Sequence, residues 1–121
     1  YKDLINMHYV SGIVQILETP QLKFINNNIN RTEFYVQLPQ IRKKQSITII
    51  KLVFWGDFAY DVANYYRVND YILIEGYLAF KKKEISNLIT GTLKYLEITV
   101  FKVYPLFLNG KQKPIKFEEL K

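Results

Sequence analysis

The hydrophobic pattern is clearest over residues 47–76, where it predicts a strand, a short helix and a second strand. Residues 47–55 (ITIIKLVFW) are mostly β-branched or aromatic, a composition typical of strands. Gly56 interrupts this strand, and Asp57 is the predicted N-cap of a helix. Asn69 is predicted to end the helix, because asparagine tolerates the left-handed conformation of a C-terminal cap. The predicted apolar stripe of the helix consists of Phe58, Ala59, Val62, Tyr65 and Tyr66.

The pattern outside this unit predicts further strands and a small barrel. The predicted strands cover residues 8–17 (resuming at 22–25), 32–38, 47–55, 71–78 and 94–104. Gly76 should mark a bulge or a sharp bend in the fourth strand, and Pro105 should end the fifth. The predicted core residues of the fifth strand are Leu96, Ile98, Val100 and Phe101. A helix between the third and fourth strands suggests an all-β fold with one short helix, a five-stranded OB-fold Greek-key barrel. We expect this domain over residues 1–106 and a C-terminal tail over 107–121.

The central unit also matches a known family by the order and spacing of its residues. The matching residues are Phe54, Trp55, Gly56, Ala59, Val62, Tyr65, Ile74, Glu75 and Gly76. They resemble the core signature of bacterial and organellar single-stranded DNA-binding proteins, and the resemblance extends over roughly residues 6–106. It implies an OB-fold barrel that binds single-stranded DNA. It also implies a homo-oligomer, a dimer or tetramer built partly on the first strand.

The charge balance favours a polyanionic partner. The chain carries 17 basic against 11 acidic residues, a formal net charge of +6. Most of the basic residues are lysines, which meet phosphate as point charges and do not read bases as arginine does. Binding to the nucleic-acid backbone without strong sequence preference is therefore expected.

Alternation along the third strand identifies a candidate binding surface. Ile49, Lys51, Val53 and Trp55 share one face of that strand. A face that holds Lys51 is not core, so Trp55 is predicted to lie on the outer side of the barrel. A base can stack on its indole while the ammonium of Lys51 meets phosphate. The alternative is that Trp55 packs under the helix or in a subunit contact.

Two basic runs flank the same side of the predicted barrel. Arg42, Lys43 and Lys44 lie in the loop between the second and third strands, and Lys81, Lys82 and Lys83 lie at the end of the fourth. Loops in these positions close over the oligonucleotide groove of OB folds. The alternative reading is that each run is simply a solvated loop.

Aromatic residues give a mixed signal about base stacking. Tyr35 and Tyr77 are predicted to face outward near Trp55, although codon bias alone can explain a tyrosine-rich chain. Family members commonly carry further stacking tryptophans where this chain has Ile49 and Lys83. Weakened binding is therefore a real alternative. In that case, the protein is an OB-fold structural or recruiting subunit of a larger assembly.

Nothing in the sequence indicates catalysis, a cofactor or a metal site. The chain has one histidine, His8, in a predicted strand, and no cysteine, phosphate-binding glycine loop or nucleophile–base pair. No apolar run reaches the length of a membrane span. Richness in Lys, Asn, Ile, Tyr and Phe is typical of an AT-rich genome, which favours the plastid (chloroplast) stroma or a bacterial cytoplasm. The expected partner is single-stranded DNA, with RNA as the alternative.

Overall fold

The computed structural model describes residues 8–26, 28–39, 47–84 and 92–108. Over these ranges the chain forms six strands and one helix. The elements are β1 (His8–Ile16), β2 (Gln21–Ile25), β3 (Ile29–Gln37), β4 (Ile49–Trp55), α1 (Gly56–Tyr65), β5 (Tyr71–Glu84) and β6 (Thr92–Phe107). The helix, the one element of its kind in the described ranges, is too short to cross a membrane.

The strands form a closed barrel with the strand order β1-β5-β6-β4-β3-β2. The barrel closes because the end of β1 also pairs with β3, where Gln15 lies opposite Gln37 and Ile16 opposite Val36. The β4–β6 pair is parallel, and the other pairs are antiparallel. Since β1 and β2 both lie along β3, they act as one bent strand. The predicted five-stranded OB-fold barrel is thus confirmed.

The barrel core uses the alternation that the sequence predicts for β4. Ile50, Leu52 and Phe54 point inward and are buried. Phe54 stacks on Phe34 of β3 with a ring-centroid distance of 5.4 Å. Val53 is an exception, because it belongs to the outer face and is nevertheless only 1% exposed.

The helix α1 covers one end of the barrel with its apolar side. Ala59 and Val62 are buried there, as the stripe predicts. The hydroxyl of Thr32, which is fully buried in β3, donates a hydrogen bond to the carbonyl oxygen of Ala59 at 2.7 Å. This bond satisfies a buried polar group and ties the helix to the wall of the barrel.

Both predicted caps of the helix are wrong. Asp57 lies within the first turn, while the N-cap residue is Trp55, which makes no side-chain capping bond. At the other end, the N–H of Tyr66 bonds to the carbonyl of Val62 at 3.1 Å, so the helix ends before Asn69. Asn69 does adopt the left-handed conformation, with φ of 74°. This conformation lies in the turn before β5, where the N–H of Asn69 donates to the carbonyl of Ile16 at 2.8 Å.

The pairing of β5 with β6 confirms one prediction and corrects two. The register shifts between Glu75 and Gly76, so the predicted bulge at Gly76 is present. Phe101 is the extra residue on β6 at this shift and is exposed, so its prediction as core is wrong. Pro105 does not end β6, because a second register shift beside Ile72 accommodates it and the strand continues to Phe107.

Candidate nucleic-acid interface

The outer side of the β3–β4 pair gathers aromatic and charged side chains. In this antiparallel pair Arg31 lies opposite Trp55, Glu33 opposite Val53, and Tyr35 opposite Lys51. Directly opposed residues share a face, so these side chains lie together. We call Arg31, Glu33, Tyr35, Lys51 and Trp55 the outer β3–β4 face. Since Trp55 is four residue steps along β4 from Lys51, the face extends about 13 Å along the strands.

Trp55 lies at the end of this face nearest to α1. Its side chain is 40% exposed, so it is not buried beneath the helix. The guanidinium carbon of Arg31 lies 4.8 Å from the centroid of its ring, a cation–π distance. Trp55 therefore has the exposure that stacking with a base requires, although Arg31 already contacts the indole.

Lys51 shares the outer face with Trp55, but its ammonium is not free. Its Nζ lies 3.4 Å from a carboxylate oxygen of Glu33 and 5.5 Å from the centroid of the Tyr95 ring on β6. The Lys51 side chain is only 19% exposed. A phosphate at this position would have to compete with Glu33.

Glu33 is the centre of an ion-pair network. Both Nε and Nη2 of Arg31 donate to its Oε2, at 2.9 and 2.7 Å, and Lys23 of β2 lies 3.9 Å from its Oε1. Partial burial alone would raise the pKa of Glu33. The hydrogen bond and charge of Arg31, together with the charge of Lys51, outweigh burial and lower this pKa below its usual value. Glu33 is therefore an anion that holds three cations in place.

An open depression of about 490 Å³ lies beside the Glu33 ion-pair network, next to the segment that joins β1 to β2. Its lining consists of Glu18, Thr19, Gln21, Lys23, Glu33, Phe34, Tyr35 and Lys51. Glu18 accepts a hydrogen bond from the backbone N–H of Tyr35 at 3.0 Å. Arg31, Glu33 and Lys23 are not among the site residues predicted from the sequence, although alternation along β3 places Arg31 and Glu33 on the same face as Tyr35 and could have identified them.

The basic run at the end of β5 is only partly on this surface. Lys81 lies opposite Tyr95, and its Nζ is 4.0 Å from Glu97, the β6 residue that pairs with Lys51. Lys82 is exposed on the opposite side of the strand. Lys83 is also part of β5. The other basic run, Arg42, Lys43 and Lys44, lies outside the described residues.

Tyr77 lies away from Trp55, in a second group of rings on the exterior of the barrel. Its ring centroid is 5.2 Å from that of Phe101 and 6.3 Å from that of Tyr9. We call Tyr9, Tyr77 and Phe101 the aromatic cluster. The Tyr9 hydroxyl donates to Glu75 at 2.7 Å, and this hydrogen bond to a carboxylate raises the pKa of Tyr9. Tyr9 and Tyr77 lie on β1 and β5, and Phe101 lies on β6, the strand next to β4.

Comparison with known proteins identifies the family. No protein-family model matches the chain. It is 38% identical over 107 residues to "Putative single-stranded DNA-binding protein ycf41" of Trieres chinensis, an alignment that covers 88% of this chain and 95% of that protein. The chain belongs to the family of single-stranded DNA-binding proteins. Family membership also confirms that it is not an enzyme, since proteins of this family bind DNA without catalysing a reaction.

Solved structures agree with this assignment. The SSB domain of a Synechococcus protein matches with a TM-score of 0.63 and 26% identity, covering 81% of this chain and 94% of that one. The small single-stranded DNA-binding protein of Streptomyces coelicolor matches with a TM-score of 0.65 and 11% identity, covering 83% and 94%. Rim1, a mitochondrial single-stranded DNA-binding protein of S. cerevisiae, gives 0.65 and 13%, covering 85% and 97%. The last two share the fold alone.

Proposed function

We propose that the protein binds single-stranded DNA without strong sequence preference, through the outer β3–β4 face. The observation that carries this proposal is the position of Trp55, exposed at one end of a face that also holds Lys51 and Arg31. An aromatic ring beside cations suits single strands, because any base can stack while phosphates meet the charges. The net charge of +6 favours the same partner.

The basic runs extend this proposal beyond the described face. Lys81 and Lys82, with Lys83 next in the chain, would guide the strand along the end of β5. Arg42, Lys43 and Lys44 would close over it from the loop between β3 and β4. Tyr35 is half exposed opposite Lys51 and would support a second base, whereas Tyr77 would do so only for a strand that continues across β6.

The wider cellular role that we propose follows from the proposed partner, single-stranded DNA. Proteins that cover single strands act in DNA replication, repair and recombination, and we place this protein in those processes. The Trieres chinensis relative is encoded in a plastid genome, which supports a location of this protein in the plastid stroma. We also propose a homo-oligomer, a dimer or tetramer, because Ile13 and Tyr9 leave the outer side of β1 apolar and exposed.

A titration with three nucleic acids tests the proposed function. Labelled oligo-dT, oligo-U and a DNA duplex of equal length are added to the protein at fixed salt, and anisotropy is followed. Trp55 is the one tryptophan in the chain, so its emission reports on its own surroundings. Oligo-dT should bind most tightly and quench that emission. Equal or tighter binding of oligo-U would assign RNA as the partner, and no binding of any of them would contradict the proposal.

A second candidate function is that of an OB-fold structural or recruiting subunit in a larger assembly. The aromatic cluster favours it, because three exposed rings in mutual contact form a typical protein-binding surface. This candidate predicts that saturating oligo-dT leaves the emission of Trp55 unchanged. It also predicts that changes in the aromatic cluster alter assembly and not nucleic-acid binding.

A further inference from the structure

Glu33 is an acidic residue in the middle of a surface proposed to bind a polyanion. Its carboxylate takes two hydrogen bonds from Arg31 and lies near the ammonium groups of Lys51 and Lys23. Its side chain is 19% exposed, so part of it is accessible from the solvent side of the face. A phosphate arriving at these cations would meet a negative charge already in place.

The same carboxylate fixes the position of Arg31 relative to Trp55. Arg31 uses Nε and Nη2, the edge of its guanidinium group, to bind Glu33, and its planar group lies over the indole at 4.8 Å. Because both contacts involve one rigid planar group, holding the edge also holds the plane. A base that stacks on this side of the indole needs the place that the guanidinium occupies.

We propose that Glu33 is a gate on the outer β3–β4 face. It holds Arg31 over Trp55 and neutralises Lys51 and Lys23, and a single strand must exchange its phosphates for this carboxylate before a base stacks on Trp55. This proposal rests on the proposed function. It adds that phosphate capture and base stacking are coupled, because the arginine that receives the phosphate is the one that leaves the indole.

The coupling has a consequence for the ligand. A free base or nucleoside carries no phosphate to draw Arg31 from Glu33, so it has to compete with the guanidinium for the ring. A nucleotide chain supplies the phosphate and the base together. The gate thus favours chains over isolated bases and lowers the affinity for chains by the repulsion between Glu33 and phosphate.

The variant Glu33→Gln tests the gate with oligo-dT. It keeps the shape of the side chain and removes the charge, and a neutral acceptor holds a guanidinium about half as strongly. We expect affinity to rise roughly three- to fivefold, the range covered by one partly exposed charge pair. The log–log salt dependence should steepen by up to about 0.7, because the wild-type carboxylate takes up a cation when phosphate displaces it and the variant does not.

Asp61→Asn is the matched control for net charge. Asp61 is exposed on α1 and lies outside the outer β3–β4 face. Asp61→Asn changes the net charge of the protein by the same amount as Glu33→Gln. If both variants raise the affinity equally, the effect comes from general charge, and the gate is contradicted.

Quenching of Trp55 by acrylamide tests the gate without nucleic acid. Release of Arg31 uncovers the indole, so the quenching constant should rise from the wild type to Glu33→Gln. It should rise further in Glu33→Ala, which lacks the acceptor, and Asp61→Asn should not change it. Circular dichroism checks that each variant is folded. An equal quenching constant in all four proteins would overturn the gate.

The two proposals fail in different ways. If the wild type binds oligo-dT and Glu33→Gln binds equally or more weakly, Glu33 positions the cations for phosphate and the gate is wrong, while the proposed function stands. If neither the wild type nor Glu33→Gln binds oligo-dT, the proposed function fails and the gate fails with it. Tighter binding together with stronger quenching supports both.

Discussion

The outer β3–β4 face and the aromatic cluster lie on the same barrel exterior but differ in how their side chains are held. On the outer β3–β4 face the aromatic Trp55 stands beside cations, and the cations are held by Glu33. In the aromatic cluster the rings contact one another, and Glu75 accepts a hydrogen bond from Tyr9. The first arrangement suits a partner that contributes phosphates, whereas the second suits a partner that contributes apolar surface.

This difference assigns separate functions to residues that look alike in the sequence. Trp55, Tyr77 and Phe101 are all exposed aromatic residues on strands. Of the three, Trp55 has a guanidinium over its ring, so we expect Trp55 to meet the phosphate-bearing ligand.

Removing the indole should have the largest effect on nucleic-acid binding. Trp55→Ala should cost about 1–3 kcal/mol of binding to oligo-dT, or roughly ten- to hundredfold in affinity, the usual value of one base–aromatic stack. Tyr35→Ala should cost less. The control is Tyr60→Ala, an exposed aromatic residue on α1. Anisotropy titrations measure the change, and a Trp55→Ala protein that binds as tightly as Tyr60→Ala would show that the outer β3–β4 face is not the binding surface.

Removing a ring of the aromatic cluster should affect assembly instead. Phe101→Ala should weaken the oligomer by about 2 kcal/mol, the threshold for a hot-spot residue in an interface. Its affinity for oligo-dT, expressed per subunit, should stay within a factor of two, since it leaves Trp55 untouched. Analytical ultracentrifugation over a range of concentrations measures the change. A wild type that is already monomeric at micromolar concentration would contradict the proposed oligomer.

Salt dependence separates the two regions by charge. Lys51→Gln should flatten the log–log dependence of oligo-dT affinity on salt by about 0.7, since one phosphate contact is lost. Lys102→Gln is the matched control, because Lys102 lies on β6 opposite Glu75, beside the aromatic cluster. It should leave the slope unchanged. Equal slopes for the two variants would mean that Lys51 stays paired with Glu33 in the complex. Neutralising Lys43 and Lys44 together tests the loop in the same way.

The smallest effect is on stability in acid. The pKa of Glu33 is lowered from its ordinary value of 4.5, so its stabilising contribution is present above that pH and is lost as pH falls through the lowered pKa. Above pH 5 the wild type should therefore be more stable than Glu33→Gln by at most about 1 kcal/mol, since the pairs are partly exposed. This difference should vanish as the pH falls from 4.5 through the lowered pKa. Thermal melts of both proteins across this range measure it, and a constant difference would contradict the ion-pair network.

The sequence predicts the barrel and the orientation of β4, because both depend on local patterns. Strand alternation alone places Lys51 and Trp55 on the outer side of the barrel, independently of the rest of the chain. The turn before β5 is different: Asn69 has the predicted backbone conformation, but its N–H bonds to Ile16, far away in the chain. A residue's conformational preference is visible in a sequence, whereas its partner depends on how distant strands meet.

The charged network and the aromatic cluster depend on register, which the sequence does not display. Glu33 meets Arg31 along its own strand, but its contacts with Lys51 and Lys23 require the pairing of three strands. Phe101 directly follows the buried Val100, so strand alternation places it on the outer face, and its prediction as core overlooks this pattern. A pairing offset of one residue, beside Ile72, accounts for the error at Pro105.

The bulge at Gly76 makes the exterior of the barrel adjustable independently of its interior. Val100 pairs with Gly76, and Lys102 pairs with Glu75, so the hydrogen-bonded ladder passes over Phe101. A side chain on Gly76 would strike the backbone carbonyl oxygen of Thr99 as well as Cγ2 of Ile98, so the glycine itself is fixed by packing. Phe101 carries no such constraint. A larger or smaller side chain at this position, or its deletion, would give a different outer surface, while the inward-facing residues on either side kept their partners.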